Sequence, residues 1–168
     1  ASPTVGFIVD ESVPLPGPPG SGESSGNPAL GEWYNYDPST HAVSPKETLY
    51  LVRTADGRYA KMQFLSYDDG VTTIRSGSVS REAGVWSQEI DASDAEAFVY
   101  IRFDIGEVVT TDNPAEDMGW DLAISRTKLQ TNSGTSGAGG GGALDVEATS
   151  LEEIASVPVG DGCYLASE

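Results

Sequence analysis

Residues Glu47–Tyr67, ETLYLVRTADGRYAKMQFLSY, constrain the fold more than any other stretch. Two flanks rich in β-branched and aromatic residues surround Asp56-Gly57. Such flanks favour a pleated backbone, and Asp-Gly is a strong signal for a type I′ turn, whose two central residues both need φ > 0. The spacing predicts a β-hairpin. In its second flank Ala60, Met62 and Phe64 share one face while Tyr59, Lys61 and Gln63 share the other, because side chains alternate along a strand. Asp68-Asp69-Gly70 predicts the next turn, and Val71–Arg75 begins a further strand. No long run at helical spacing competes with this pattern, and 20 glycines and 10 prolines interrupt the chain. The expectation is a single all-β, antiparallel domain of about seven to nine strands. A length of 168 residues suits one domain with a real core.

Either side of that hairpin the chain changes character. Residues 1–32 are rich in Pro, Gly and Ser, above all Pro14–Gly26, PLPGPPGSGESSG. They read as a long flexible arm or loop that cannot bury enough apolar surface to order itself, with a short strand at Phe7-Ile8-Val9. Residues 33–168 read as the β domain proper. Val85–Ile90 is a strand candidate, and Asp91–Glu96 is a polar turn or short helical turn capped by Asp91 or Ser93. Phe98–Phe103 and Glu107–Thr111 flank Asp104-Ile105-Gly106 as a second hairpin. Trp120–Gln130 reads as one strand, with Trp120, Leu122 and Ile124 alternating with Asp121, Ala123 and Ser125. A glycine-rich loop follows. Thr149–Ala155 predicts a short helical turn, and Pro158–Gly162 a turn before Cys163-Tyr164-Leu165.

Charge removes several function classes. The net charge is −17, from 26 acidic and 9 basic residues. Such a surface repels nucleic acid and anionic lipid, so neither is expected as a partner. The acidity suits solubility in a salty or extracellular setting. No stretch reaches the length of a membrane span, and any signal peptide is expected to have been removed before Ala1. A single cysteine, Cys163, cannot form an internal disulfide and reads as a buried thiol, with an intermolecular link as the alternative.

Catalytic motifs are absent or out of context. Gly134–Gly142, GTSGAGGGG, lacks the Lys and Ser/Thr that a phosphate loop places after its glycines; Ala143-Leu144-Asp145 follows instead. The run therefore reads as a loop needing positive φ or close backbone approach. Gly22-Glu23-Ser24-Ser25-Gly26 fits the G-x-S-x-G pattern, but a nucleophile elbow needs a strand, a sharp turn and a helix, with a histidine base. No spacing singles out a carboxylate pair. One Cys and one His are too few for an ordinary zinc site, and no calcium-loop repeat is present. The chain is not expected to be an enzyme. His41 is the one imidazole and the only histidine candidate for a haem iron, with Met62 and Met118 as thioether candidates. A lone histidine after Asp37-Pro38-Ser39-Thr40 also reads as a solvated loop residue. Most of the aromatics read as core or cross-strand pairs, with a few free to line a flat apolar pocket.

Two separate words resemble the HmuY family of secreted haem-binding proteins. One lies in Trp33–Tyr67 and ends in RTADGRYAKMQFLSY; the other lies in Ile90–Pro158 and runs from WDLA through NSGTSGAGGGGA to SVP. The first (33–75) resembles the family's late segment and the second (90–158) its early segment, so the blocks stand in circularly permuted order. The resemblance implies an all-β fold and an extracytoplasmic, secreted or outer-surface location. It also implies haem capture and hand-over to an outer-membrane receptor. Haem would be held through histidines in the part corresponding to Ala1–Lys46, which contains His41 alone. The expected site is therefore His41 as the metal ligand, with Trp33, Tyr34 and Tyr36 as walls of the haem-binding pocket. The competing expectation is a surface module that keeps the fold, has lost haem ligation and self-associates by strand exchange through the arm at residues 1–32.

Overall fold

A computed structural model describes residues 7–14, 18–31, 33–46, 48–79, 85–103, 106–146, 156–158 and 164–166. The expectations for Thr149–Ala155, Cys163 and Asp104-Ile105 lie outside them. The chain is all-β and antiparallel. In order the strands are β1 (Glu11–Pro14), β2 (Glu23–Gly26), β3 (Tyr34–Asp37), β4 (Ala42–Pro45), β5 (Leu49–Arg53), β6 (Tyr59–Asp68), β7 (Val71–Ser78), β8 (Val85–Asp91), β9 (Val99–Arg102), β10 (Glu107–Val109), β11 (Leu122–Ser125), β12 (Lys128–Thr131), β13 (Gly142–Val146), β14 (Ser156–Pro158) and β15 (Tyr164–Ala166). Two main sheets hold nine of them: β13-β5-β6-β7-β8 and β10-β9-β11-β12. The pairs β1-β2, β3-β4 and β14-β15 form separate ribbons.

Binary patterning explains the layering. Ala60, Met62 and Phe64 of β6 point into the main core, as their alternation predicts, together with Tyr50, Val52, Ile74 and Ile90 of the same sheet. Ile101, Leu122, Ile124 and Leu129 of the smaller sheet meet them there. Each fully buried large side chain contributes on the order of 1.5–3 kcal/mol. Leu49 and Leu51 point the other way, into a second cluster with Val79, Phe7 and Tyr59. The central sheet is thus covered on both faces, which is why Leu49–Val52 reads as a continuous apolar run.

Four expectations need correction. The Asp56-Gly57 turn is not type I′: Gly57 has φ 85° and Asp56 is not left-handed. The connection is wider, with Thr54 N–H donating to Arg58 O at 2.7 Å and Gly57 N–H to Thr54 O at 3.0 Å. It presents Ala55 to other parts of the chain, which a two-residue turn would not do. The I′ geometry occurs instead at Asp69-Gly70, with φ 45° and 95°. Trp120–Gln130 is two strands, because the chain reverses at Arg126-Thr127 with Arg126 at φ 53°. No Gly or Asn marks that turn; Arg126 N–H donates to Ala92 O and its guanidinium to Ser93 O and Asp69. Asp91 does not cap a helix: its carboxylate accepts from Ser93 N–H and Oγ–H in a side-chain turn.

The fourth correction concerns residues 1–32. Within 7–14 and 18–31 they form the β1-β2 ribbon and a 3-10 turn at Pro28–Leu30 rather than a free arm. Buried polar bonds hold them, together with Leu30 in the main core and Phe7 in the second cluster. The Asp10 carboxylate accepts from Thr131 N–H, Thr131 Oγ1–H, Ser136 Oγ–H and Asn27 Nδ2–H, while Asp10 N–H donates to Ser133 Oγ. Desolvation outweighs these bonds and raises the Asp10 pKa above its ordinary value. Ile8 exchanges backbone hydrogen bonds with Ala143, extending the edge by one bridge.

The two distant sequence words meet in space. The Asp121 carboxylate of WDLA accepts from Ala55 N–H of the ADG turn at 2.9 Å and from Phe103 N–H at 2.8 Å. Gly140 N–H donates to Ala55 O, and Arg53 Nε–H donates to Gly140 O. Asn132 anchors the glycine loop by accepting from Gly139 N–H, and it donates to Asp117 O and Trp120 O. A Cβ on Gly139 would sit 2.8 Å from Ala55 Cβ and from Asn132 O. The glycine run exists for close backbone approach, not for a phosphate. Ser24, the G-x-S-x-G serine, lies in β2 opposite Val13, not at a strand-to-helix elbow.

Candidate functional site: an aromatic groove

The ribbon β3-β4 stands over one end of the core and leaves a groove of about 730 Å³ beneath it. That volume lies within the roughly 300–1,000 Å³ usual for small-molecule sites. Tyr34, Tyr36, Val43 and Tyr67 form one wall, and the β11–β12 turn, Ser125–Lys128, forms the other with Ala95. A smaller hollow of about 260 Å³ shares Tyr34, Thr127 and Lys128 and continues toward β1 and β2. Among the described residues no carboxylate lines this groove, whereas Arg126 and Lys128, two of the 9 basic residues, do.

Each wall has a local cause. Trp33 is buried at 1% exposure and packs against Phe64, Tyr34 and Tyr67, with ring centroids 4.5–5.8 Å apart. Its indole N–H donates to Thr127 O at 3.0 Å. Trp33 is therefore a support behind the groove and does not line it. Tyr67 is half-buried, and that burial pushes its phenol pKa up, so it stays neutral at ordinary pH. Arg126 is paired with Asp69 at 2.6 Å, which pins the turn. Lys128 is exposed on the same wall.

His41 sits at the tip of the β3-β4 ribbon. Its N–H donates to Asp37 O at 2.7 Å, and its backbone is left-handed at φ 60°. Asp37 shapes the turn by accepting from Ser39 N–H and Oγ–H, bonds that lower its pKa. His41 Nδ1 lies 2.6 Å from the Tyr36 hydroxyl. Tyr36 borders the groove; His41 is not among the residues that do. Of the four residues expected to form a site, Tyr34 and Tyr36 line the groove, His41 contacts Tyr36, and Trp33 is core. Sequence reading missed Tyr67, Arg126 and Lys128 as groove residues. Arg126 and Lys128 were hidden because Trp120–Gln130 reads as one strand, and a turn there has no composition signal. Met62 is fully buried in the core, and Met118 is exposed away from the groove lining.

An open groove with aromatic walls in an all-β domain has the size and lining of a small-molecule site. The family model for the HmuY protein matches residues 6–80 and 94–164, and the chain belongs to the HmuY family. The match falls into two segments, and the gap between them, residues 81–93, takes in β8; the split fits the block order seen in the sequence. No curated protein and no solved structure matches the chain. No helix among the described residues is long and apolar enough to cross a membrane.

Proposed function

We propose that this chain is an extracytoplasmic haem-capture protein that binds haem in the groove beneath β3-β4 and catalyses no reaction. The observation that carries the reading is the groove's lining: aromatic on one side, with Lys128 and the Asp69-paired Arg126 on the other and no carboxylate among the described lining residues, on a molecule of net charge −17. A flat apolar ring with carboxylate arms suits such a lining. Tyr34, Tyr67 and Val43 would offer apolar contact to the ring. Lys128 would meet a carboxylate that the rest of the surface repels. Bound haem supplies an iron that needs an axial ligand, and Tyr36 with His41 is the one phenol–imidazole pair beside the groove. Two histidine ligands from one chain are impossible, because the sequence has one histidine. Hand-over to an outer-membrane receptor belongs to this proposal as the step after capture.

Strand exchange through residues 1–32 is less favoured, since donating that segment would break the buried Asp10 network. The test of the capture reading is a haemin titration followed by absorbance on the parent and Lys128→Glu. Saturable one-to-one binding, weakened several-fold in Lys128→Glu and more so at low salt, supports it. Equal affinity in both proteins would remove the groove as the site.

A further inference from the structure

The smaller hollow, of about 260 Å³, has walls of a different kind from the main groove. Val13 and Pro14 of β1, Pro28 of the 3-10 turn and Leu129 of β12 line it. Apart from Tyr34 its apolar walls are therefore aliphatic, whereas tyrosines dominate the groove. Tyr34, Thr127 and Lys128 belong to both. Tyr34 is held by Trp33, with ring centroids 5.2 Å apart. The opposite wall is fixed as well. Asn27 N–H donates to Leu129 O at 3.2 Å and Gln130 Nε2–H to Ser25 O at 3.0 Å, which straps the β1-β2 ribbon to β12. Ser25 Oγ–H donates to Thr135 O, and the Asn27 amide donates to Ile8 O and Asp10, so neither aims its hydrogen bonds into the hollow. Lys128 differs. It is exposed, and among the described residues it has no ion pair, while no carboxylate lines the hollow.

We propose that this hollow is a second binding site, for an aliphatic monocarboxylate of medium chain length, with the carboxylate on Lys128 and the chain between β1-β2 and β12. A molecule of net charge −17 repels anions over most of its surface. An anion is held where a cation stands clear of acids and apolar surface lies beside it, and Lys128 with this hollow meets both conditions. The chain carries most of the binding, because burial of methylenes is favourable while an exposed ion pair is weak. The ammonium selects the charged head group over a neutral one. The site stands apart from the haem reading: Val13, Pro28, Gly31 and Leu129 line the hollow and do not line the groove.

The experiment titrates octanoate and 1-octanol into labelled parent, Gly31→Leu and Lys128→Gln, read by amide shifts. Gly31 has φ −67°, and a Cβ there meets nothing nearer than 3.6 Å, so the backbone accepts leucine and the new side chain occupies the hollow. The expected result for the parent is saturable octanoate shifts at Val13, Ser24, Gly31 and Leu129. Gly31→Leu should bind octanoate at least about tenfold more weakly. Lys128→Gln should bind it about two- to fivefold more weakly, the range of an exposed ion pair, with octanol affinity unchanged. Metal-free protoporphyrin, read by quenching of tryptophan emission, should bind Gly31→Leu within about twofold of the parent, since the substitution lies outside the groove. Parent protein that takes octanoate but no porphyrin would sink the haem reading and leave this site standing. Octanoate shifts centred on Tyr36, Val43 and Tyr67, no saturable shifts in the parent, or an octanoate affinity unchanged by both substitutions would overturn the proposal.

Discussion

Removing the Asp121 carboxylate tests the claim that the two halves of the sequence are joined through one buried side chain. Asp121 is 5% exposed and accepts from two backbone N–H groups, Ala55 at 2.9 Å and Phe103 at 2.8 Å. Both bonds are buried. Asp121→Ala leaves two donors without acceptors, each costing about 1–3 kcal/mol. Some relaxation is expected at the ADG turn, so the sum is about 3–5 kcal/mol. A domain of ordinary stability has roughly 5–15 kcal/mol in total, so the variant should fold but melt about 10 °C lower. Asp121→Asn keeps one acceptor oxygen and turns an amide N–H toward the other donor, so it should fall between the two. Urea unfolding followed by tryptophan emission measures the change in midpoint. Amide exchange localises it: Ala55 and Phe103 should lose protection before the neighbouring strands β5 and β9. An Asp121→Ala midpoint within about 0.5 kcal/mol of the parent, with both amides still protected, would refute the reasoning.

Neighbouring glycines in the loop should behave oppositely. Gly139→Ala places a Cβ 2.8 Å from Asn132 O and Ala55 Cβ and should cost about 1–3 kcal/mol. Gly140→Ala meets nothing closer than 3.7 Å and should be neutral to within about 0.5 kcal/mol by the same unfolding assay. Burial raises the folded pKa of Asp10, so its contribution to stability is fullest below the unfolded value of 3.8 and is lost as pH rises through the folded value. Stability measured against pH should therefore fall more steeply across that window in the parent than in Asp10→Asn. Asp56 is the opposite case: bonds from Arg58 and Thr54 lower its pKa to about 2, so its contribution is present above 3.8 and lost as pH falls through about 2. That contribution is small, because the Arg58 pair is exposed; Asp56→Asn should change the melting temperature at neutral pH only slightly.

The all-β class was legible because its signals are local: alternation in β6, turn residues at Asp69-Gly70, and β-branched flanks. The family words were legible as words, but their reason is not local. Asp121 and Ala55 are 66 positions apart, and the glycine loop reads as flexible until Asn132 and Ala55 are seen against it. The ordering of residues 7–14 and 18–31 was hidden for the same cause. Their composition offers little apolar area, and the carboxylate that holds them finds its partners 121 to 126 positions away. In the groove the aromatics were visible as candidates. Whether an aromatic is wall or support depends on the sheet behind it, which separates Tyr34 from Trp33. The basic side came from a turn at Arg126 held by Ala92 O, Ser93 O and Asp69, none of which its own segment announces.

The most direct measurement of the central claim is a two-dimensional amide spectrum of the labelled protein titrated with gallium protoporphyrin, a diamagnetic stand-in for ferric haem. The groove reading predicts saturable shifts at Tyr34, Tyr36, Val43, Tyr67 and Arg126–Lys128, with the Asp10 and Asp121 surroundings unmoved. Saturable shifts centred elsewhere on the chain, or none at concentrations well above the protein's, would contradict it.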